Sequence, residues 1–169
     1  YINFLSFQNC TSLTSVNMTS SGVIDIAYGA FSNCTSLTSI DIPSSVTNIG
    51  PFAFQNCSSI ASPINIPNGV TVINDNTFYG CNLIPSITIP DSITSIGFNA
   101  FSLCNNLFTV TIQNPINVTT IFTNSFTDVI TNPNSSITFN NVTSFNDLSA
   151  TWQTIASFYT AIYTGSILN

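Results

Sequence analysis

Residues 30–50 read AFSNCTSLTSIDIPSSVTNIG, and this stretch carries the pattern that decides the fold. Phe31, Cys34 and Leu37 stand three residues apart, a spacing that favours a short helical or 3₁₀ turn with these side chains facing inward. The phenylalanine recurs every 23 to 25 residues, at Phe7, Phe31, Phe54, Phe78, Phe101 and Phe126. The cysteine recurs in phase with it, at Cys10, Cys34, Cys57, Cys81 and Cys104.

A short strand is predicted after each turn, because apolar and polar residues alternate there. The inward pairs are Val16/Met18, Ile40/Ile42, Ile64/Ile66, Ile87/Ile89, Val110/Ile112 and Ile137/Phe139. Pro43, Pro67, Pro90 and Pro115 follow these segments and end the strand, since proline lacks the N–H that a neighbouring strand needs. A return segment then leads to another apolar column, formed by Ile2, Ile26, Ile49, Ile73, Ile96 and Ile121.

One such unit cannot bury its own apolar face, whereas stacked units share a continuous core. The repeat therefore predicts a solenoid over residues 1–145, with about six coils of which the first is incomplete. Residues 146–169 form a different segment, in which apolar residues step by four and three from Leu148 through Trp152 to Ile162. That stripe predicts an amphipathic helix that covers the last coil.

The repeat resembles the BspA-like leucine-rich repeats, also called the Treponema pallidum type. The matching stretches are residues 30–50, 53–73 and 100–112, and the resemblance extends over residues 2–145. It implies a leucine-rich-repeat solenoid with short parallel strands, one per coil, and a curved right-handed shape. Proteins of this type are mostly secreted or attached to the surface of bacteria, protists and some large viruses, where they serve adhesion or protein contact rather than catalysis.

The composition excludes several classes of partner. The chain of 169 residues contains no Lys, Arg or His and carries a net charge of −6 from six Asp. Binding of nucleic acid needs cations against the phosphates, so no nucleic-acid partner is expected. No run approaches the roughly 20 apolar residues of a membrane helix, so no membrane insertion is expected either. The chain starts at Tyr1 rather than Met, which fits a processed chain or a fragment.

The sequence predicts no enzyme, no metal and no cofactor. The cysteines stand one per coil in an inward column, so we expect buried, reduced thiols rather than disulfides or a zinc site. The carboxylates are scattered, without the pairing that glycoside hydrolysis requires, and are expected to be solubilising surface charge. They are Asp25, Asp41, Asp75, Asp91, Asp128 and Asp147.

Outward positions of the predicted strands form rows of hydroxyl and amide groups. The candidate binding face consists of Ser39, Asp41, Asn65, Ser86, Thr88, Thr109 and Thr111. A third row follows the return segments, at Thr47, Thr71, Thr94, Thr119 and Thr143. Ice or carbohydrate binding is one interpretation, while the general preference of Ser and Thr for exposed strand positions is the other. Aromatic side chains could act as anchors for a partner, with Tyr1, Tyr28, Tyr79 and Phe122 as candidates.

Seven Asn-x-Ser/Thr sequons mark candidate N-glycosylation sites, which a eukaryotic secretory host would use. They are Asn9, Asn17, Asn33, Asn56, Asn117, Asn134 and Asn141. The sequence as a whole favours an extracellular or cell-surface, non-enzymatic module that contacts a protein or glycan ligand on a surface. The alternative is a structural subunit of a fibre or sheath, which would assemble as a head-to-tail homo-oligomer through the solenoid ends.

Overall fold

The computed structural model describes residues 1–18, 22–115, 117–122, 124–126, 135–140, 150 and 152–153. Over these residues the chain winds as a solenoid whose short strands pair in parallel with those of the next coil. The predicted solenoid is thereby confirmed. The described residues form nine strands, each of two or four residues, and these strands belong to three narrow sheets.

The widest sheet contains the predicted strands after the turns. It is built from β3 (Ile64–Asn65), β5 (Ser86–Ile89), β7 (Thr109–Ile112) and β9 (Ser136–Phe139), in that spatial order. The pairing aligns Ile87 with Val110 and Ile89 with Ile112, so that the inward pairs of successive coils stack in the core. β5 ends immediately before Pro90, as the missing N–H of proline predicts.

The return segments also pair as strands, which the sequence did not predict. β1 (Asp25–Ile26) pairs with β2 (Asn48–Ile49), and β4 (Val72–Ile73), β6 (Ser95–Ile96) and β8 (Thr120–Ile121) form the third sheet. Ile2 bridges to Ile26 in the same direction. Two-residue strands are too short to show alternation in the sequence, so the pattern reveals only the inward isoleucine of each, which is buried in the first four and half-buried at Ile121.

The turns differ from the predicted short helical or 3₁₀ segment. The N–H of Cys34 donates to the carbonyl of Phe31 at 3.1 Å, and that of Leu37 donates to Cys34 at 3.0 Å, which is the 3₁₀ pattern. Asn33, inside the first of these turns, has a φ of 62°, in the left-handed region. A left-handed residue cannot continue a right-handed helix, so the segment is a series of separate turns.

The core is centred on the phenylalanine column. The rings of Phe31, Phe54, Phe78 and Phe101 are fully buried and nearly parallel, with centroids 5.5 to 5.6 Å apart and interplanar angles of 3 to 8°. The Trp152 side chain is buried at the end of this column, 6.1 Å from the Phe126 ring. Apart from Ala150, Trp152 and Gln153, the predicted capping helix lies outside the described residues.

One position has the left-handed conformation in each of five coils that the structure describes, and Leu103 occupies it at a cost. Asn9, Asn33, Asn56 and Gly80 hold the same repeat position with φ between 56 and 71°, and Leu103 has a φ of 59°. Glycine adopts this region without steric penalty and asparagine adopts it often, whereas other residues lose about 1–2 kcal/mol.

We therefore expect Leu103→Asn to raise the free energy of unfolding by about 1 kcal/mol, because the side chain of Leu103 is exposed and little burial is lost. Urea unfolding followed by circular dichroism measures this difference. Leu83→Asn is the matched control, since Leu83 is equally exposed and has no positive φ. A gain of similar size in the control, or a loss in the Leu103 variant, would contradict the interpretation.

Candidate functional site

The predicted polar residues form one surface on the widest sheet, which we call the strand face. Asn65, Thr88 and Thr111 are aligned across β3, β5 and β7. Ser86 and Thr109 are aligned in a second row, two residues earlier along the strands. Ser136 and Thr138 of β9 extend the two rows by one coil. The structure thus brings together the five members of the predicted set that lie on strands.

Ser39 and Asp41 belong to the preceding coil, which has no assigned strand at these positions. Both side chains are exposed. The N–H of Ala61 donates to the carbonyl of Thr38 at 3.1 Å, so this segment runs directly beside the next coil. The strand face therefore continues past β3, with Asp41 as the one carboxylate in the predicted set.

The spacing of the strand face sets what it can bind. Parallel strands lie about 4.8 Å apart, and alternate residues along a strand recur every 6–7 Å. Apart from Asp41, the result is a grid of neutral hydroxyl and amide groups, each able to donate and to accept hydrogen bonds. Such a surface can recognise polar groups of a protein or glycan, and it holds no pair of carboxylates for acid–base chemistry.

Three hydroxyl groups of the threonine row on the return segments are already engaged with the backbone. The hydroxyl groups of Thr47 and Thr94 donate to the carbonyls of Ile24 and Thr71, both at 3.2 Å. Thr119 donates to the carbonyl of Thr94 at 3.4 Å. These hydroxyl protons serve coil stacking, whereas Thr143 of the same predicted row lies outside the described residues.

Three of the sequon asparagines form an amide ladder across successive coils. The Nδ2 of Asn33 donates to Oδ1 of Asn9, and the Nδ2 of Asn56 donates to Oδ1 of Asn33, both at 2.9 Å. Gly80 holds the same position in the next coil, where a Cβ would clash with Oδ1 of Asn56. The nitrogen that would accept a glycan is thus a hydrogen-bond donor at Asn33 and Asn56.

The other sequons lie elsewhere on the molecule. Asn17 and Asn117 are exposed, and the Nδ2 of Asn117 donates to the carbonyl of Asp91 at 2.8 Å. Asn134 and Asn141 lie outside the described residues. Glycosylation at the seven sequons stays a prediction.

The cysteines are free thiols, and Cys34, Cys57, Cys81 and Cys104 are buried while Cys10 is half-buried. Each buried thiol donates to the carbonyl of a phenylalanine in the preceding coil, for example Cys57 to Phe31 at 3.2 Å and Cys81 to Phe54 at 3.1 Å. Burial raises the pKa of the Cys57 thiol to about 12, with a further contribution from Cys34. Cysteine thus supplies a small apolar side chain that also satisfies a buried carbonyl.

The described carboxylates are dispersed, and two of the six predicted ones, Asp128 and Asp147, lie outside the described residues. Among the described residues, no group of three or more potential ligands is placed to hold a metal ion. The helical residues in this part of the chain include no segment with the length and apolar character needed to cross a membrane.

Of the proposed aromatic anchors, Tyr1, Tyr28 and Phe122 are exposed and Tyr79 is half-buried. Sequence reasoning missed that Tyr28 and Phe122 belong to a longer row. The sequence feature that indicates this row is an aromatic residue about three positions before the core phenylalanine. This aromatic residue recurs in most coils and is replaced by Asp75 in one of them.

Comparison with known proteins supports the same fold. The family model of the BspA type leucine rich repeat region matches in 6 copies, over residues 1–83 and 60–164. A leucine rich cell surface protein from Faecalibacterium prausnitzii A2-165 is similar at 33% identity and a TM-score of 0.69, over 83% of this chain and 36% of that chain. The chain therefore spans about a third of that protein.

The T. pallidum leucine rich repeat protein has the same fold, with a TM-score of 0.61 and 24% identity over 97% of this chain and 77% of that chain. None of the curated proteins compared with the chain matches it.

Proposed function

Since the chain belongs to the BspA-type leucine-rich repeat family, we propose that it is a non-enzymatic module that contacts a protein or glycan at a cell surface. The observation that carries the proposal is the strand face, where Thr88 and Thr111 are aligned with Asn65 in an uncharged row. A surface location is supported by the cell surface protein that is 33% identical to this chain. Adhesion is the role that fits such a face best.

A fibre subunit is the alternative function, and the contacts of Trp152 make it the weaker one. Head-to-tail stacking needs an open coil at each end, whereas the Trp152 ring is buried against Phe126 and Phe139, at 6.1 and 5.2 Å. A neighbouring subunit would first have to displace this side chain. Sedimentation at several concentrations distinguishes the two functions, and we expect no growth of polymers with concentration.

We expect beads coated with the chain to attach to immobilised mucin, which presents both protein and glycans, more strongly than to albumin. Thr88→Glu/Thr111→Glu should lower this attachment at least tenfold, because two charges replace neutral groups in the middle of the strand face. The matched control is Thr71→Glu/Thr94→Glu on the exposed return-segment row, which should change attachment less than twofold.

Enzymatic removal of the mucin glycans then separates a glycan ligand from a protein ligand. Equal losses in the two variants, or equal attachment of the original chain to mucin and albumin, would contradict the proposed function.

A further inference from the structure

A second surface lies where the return segments meet the turns, and we call it the aromatic stripe. It consists of Phe4, Tyr28, Phe52, Phe98 and Phe122, with Asp75 between Phe52 and Phe98. The backbone joins these positions from coil to coil: the N–H of Phe52 donates to the carbonyl of Asp75, and the N–H of Asn76 donates to that of Phe98. Phe122 lies in the following coil, where its N–H donates to the carbonyl of Ile96. The row therefore spans six coils, a length of about 25 Å at the usual strand spacing, with Asp75 in place of an aromatic residue in one of them.

The stripe is exposed in its interior as well as at its ends, although Phe52 is half-buried. Tyr28 is 42% exposed and Phe98 is 43% exposed, although the structure contains a coil on either side of each. Phe122 is 52% exposed. Single exposed apolar side chains are common on proteins, but a contiguous row of aromatic ones marks an interaction surface. None of these three side chains belongs to the buried core.

The charge beside the stripe indicates the sign of the charge on its partner. Oδ1 of Asp75 accepts the N–H of Phe98 at 2.7 Å, which fixes this carboxylate within the row. Asp25 stands three residues before Tyr28, so it lies within about 10 Å of the stripe along the chain. The whole chain has no Lys, Arg or His to offset these charges. Electrostatic complementarity therefore favours a cationic partner and disfavours an acidic one.

The ring geometry favours a protein over a glycan. Sugar rings pack on the open faces of aromatic side chains, but the faces of Phe4 and Tyr28 cover each other at 5.2 Å with an interplanar angle of 19°. Phe52 lies 5.1 Å from Tyr28 on the other side. Tyr28 thus presents mainly its edge to solvent, and the weakly positive edges of aromatic rings pack well against aromatic faces and aliphatic side chains of a protein.

We propose that the aromatic stripe binds a cationic amphipathic segment of another protein, with apolar side chains on the rings and an Arg on Asp75. A length of about 25 Å corresponds to a helix of about 16 residues. A guanidinium suits the carboxylate because it can donate two parallel hydrogen bonds. This surface is separate from the strand face, so the inference does not depend on the proposed function.

Two synthetic helical peptides of 16 residues test the inference, identical except that Arg in one is replaced by Glu in the other. Fluorescence anisotropy with the purified chain should give at least tenfold tighter binding for the Arg peptide. Tyr28→Ser/Phe98→Ser should weaken that binding at least tenfold, whereas Leu83→Ser/Phe108→Ser, at exposed apolar positions outside the stripe, should change it less than twofold. If the double variant unfolds, the single variant Phe98→Ser replaces it, and its affinity for the Arg peptide should be at least threefold weaker than that of the original chain.

A comparison of Asp75→Asn with Asp91→Asn separates the effect of the Asp75 carboxylate on binding from the effect of net charge. Both variants have a net charge of −5, one unit less negative than the −6 of the chain. Only Asp75→Asn should lower the Arg-over-Glu preference, by at least threefold. The inference is overturned by failure of the Arg peptide to bind, by equal losses in the two double variants, or by equal effects of the two Asp variants. Binding of cello-oligosaccharides that depends on Tyr28 and Phe98 would also overturn it. None of these outcomes affects the mucin experiment on the strand face.

Discussion

Raising the pH from 9 to 11 should lower the free energy of unfolding by about 2.3 kcal/mol through Cys57 alone. Burial raises the pKa of this thiol from 9.0 to about 12 in the folded chain. Between these values the unfolded thiol loses its proton while the folded one keeps it, so the unfolded state binds fewer protons. The contribution of Cys57 to stability is therefore complete well below pH 9, and its loss steepens above pH 9 toward about 1.4 kcal/mol per pH unit.

Cys81 adds to the same effect, because burial raises its pKa well above 9.0 and the neighbouring thiols of Cys104 and Cys57 reinforce the shift. Urea unfolding at pH 8, 9, 10 and 11 under reducing conditions measures the dependence. Cys57→Ser/Cys81→Ser is the control, since serine keeps a donor for the carbonyls of Phe31 and Phe54 but does not ionise. The stability of this variant should fall less steeply than that of the original chain by at least the contribution of Cys57, which approaches about 1.4 kcal/mol per pH unit. Equal slopes in the two proteins would show that the thiols are not the cause.

The repeat columns could be predicted from the sequence because burial repeats with the coil. Phe54 and Ile73 each recur in phase with equivalents in other coils, and no tertiary knowledge is needed to see that such columns face a shared core. The hydrogen bonding within the columns was not visible. Nothing in the sequence distinguishes a buried Cys57 that fills space from one that also donates to the carbonyl of Phe31.

Backbone conformation was the second feature that local sequence did not reveal. Phe52 has a φ of 59°, in the left-handed region that Phe rarely adopts. Packing of the coil on both sides imposes this conformation against the preference of the residue. The sequence places asparagine at the equivalent position of other turns, for example Asn76 and Asn99. The sequon asparagines such as Asn33 occupy a different turn position, and their pattern does not reveal the amide ladder.

The candidate sites could also be predicted from the sequence only in part. The alignment of Thr88 with Thr111 follows from the repeat period, so the strand face could be placed beforehand. Whether it binds a ligand could not be predicted, since threonine is favoured on exposed strands for its packing as well. The aromatic stripe was hidden because its members shift by one residue at Phe52 and Phe122 relative to the core phenylalanines, and because Asp75 interrupts it.

Phe54→Ala should lower the free energy of unfolding by about 3–5 kcal/mol. The ring is fully buried and stacks on Phe31 and Phe78, with both centroids 5.5 Å away. Truncation leaves a cavity between two coils that the fixed strand spacing prevents from closing. Phe98→Ala is the matched control, because it removes the same atoms from an exposed ring and should cost less than about 1 kcal/mol.

The position of Phe54 within the array adds a second expected result. Repeat proteins hold together through contacts between neighbouring coils, so a defect in the middle uncouples the two halves. We therefore expect the denaturant transition of Phe54→Ala to become broader or to split, with a smaller dependence of stability on urea concentration. Phe126→Ala, beside Trp152 at the end of the column, should destabilise while leaving one sharp transition. A loss below about 1 kcal/mol for Phe54→Ala would mean that the phenylalanine column does not hold the coils together.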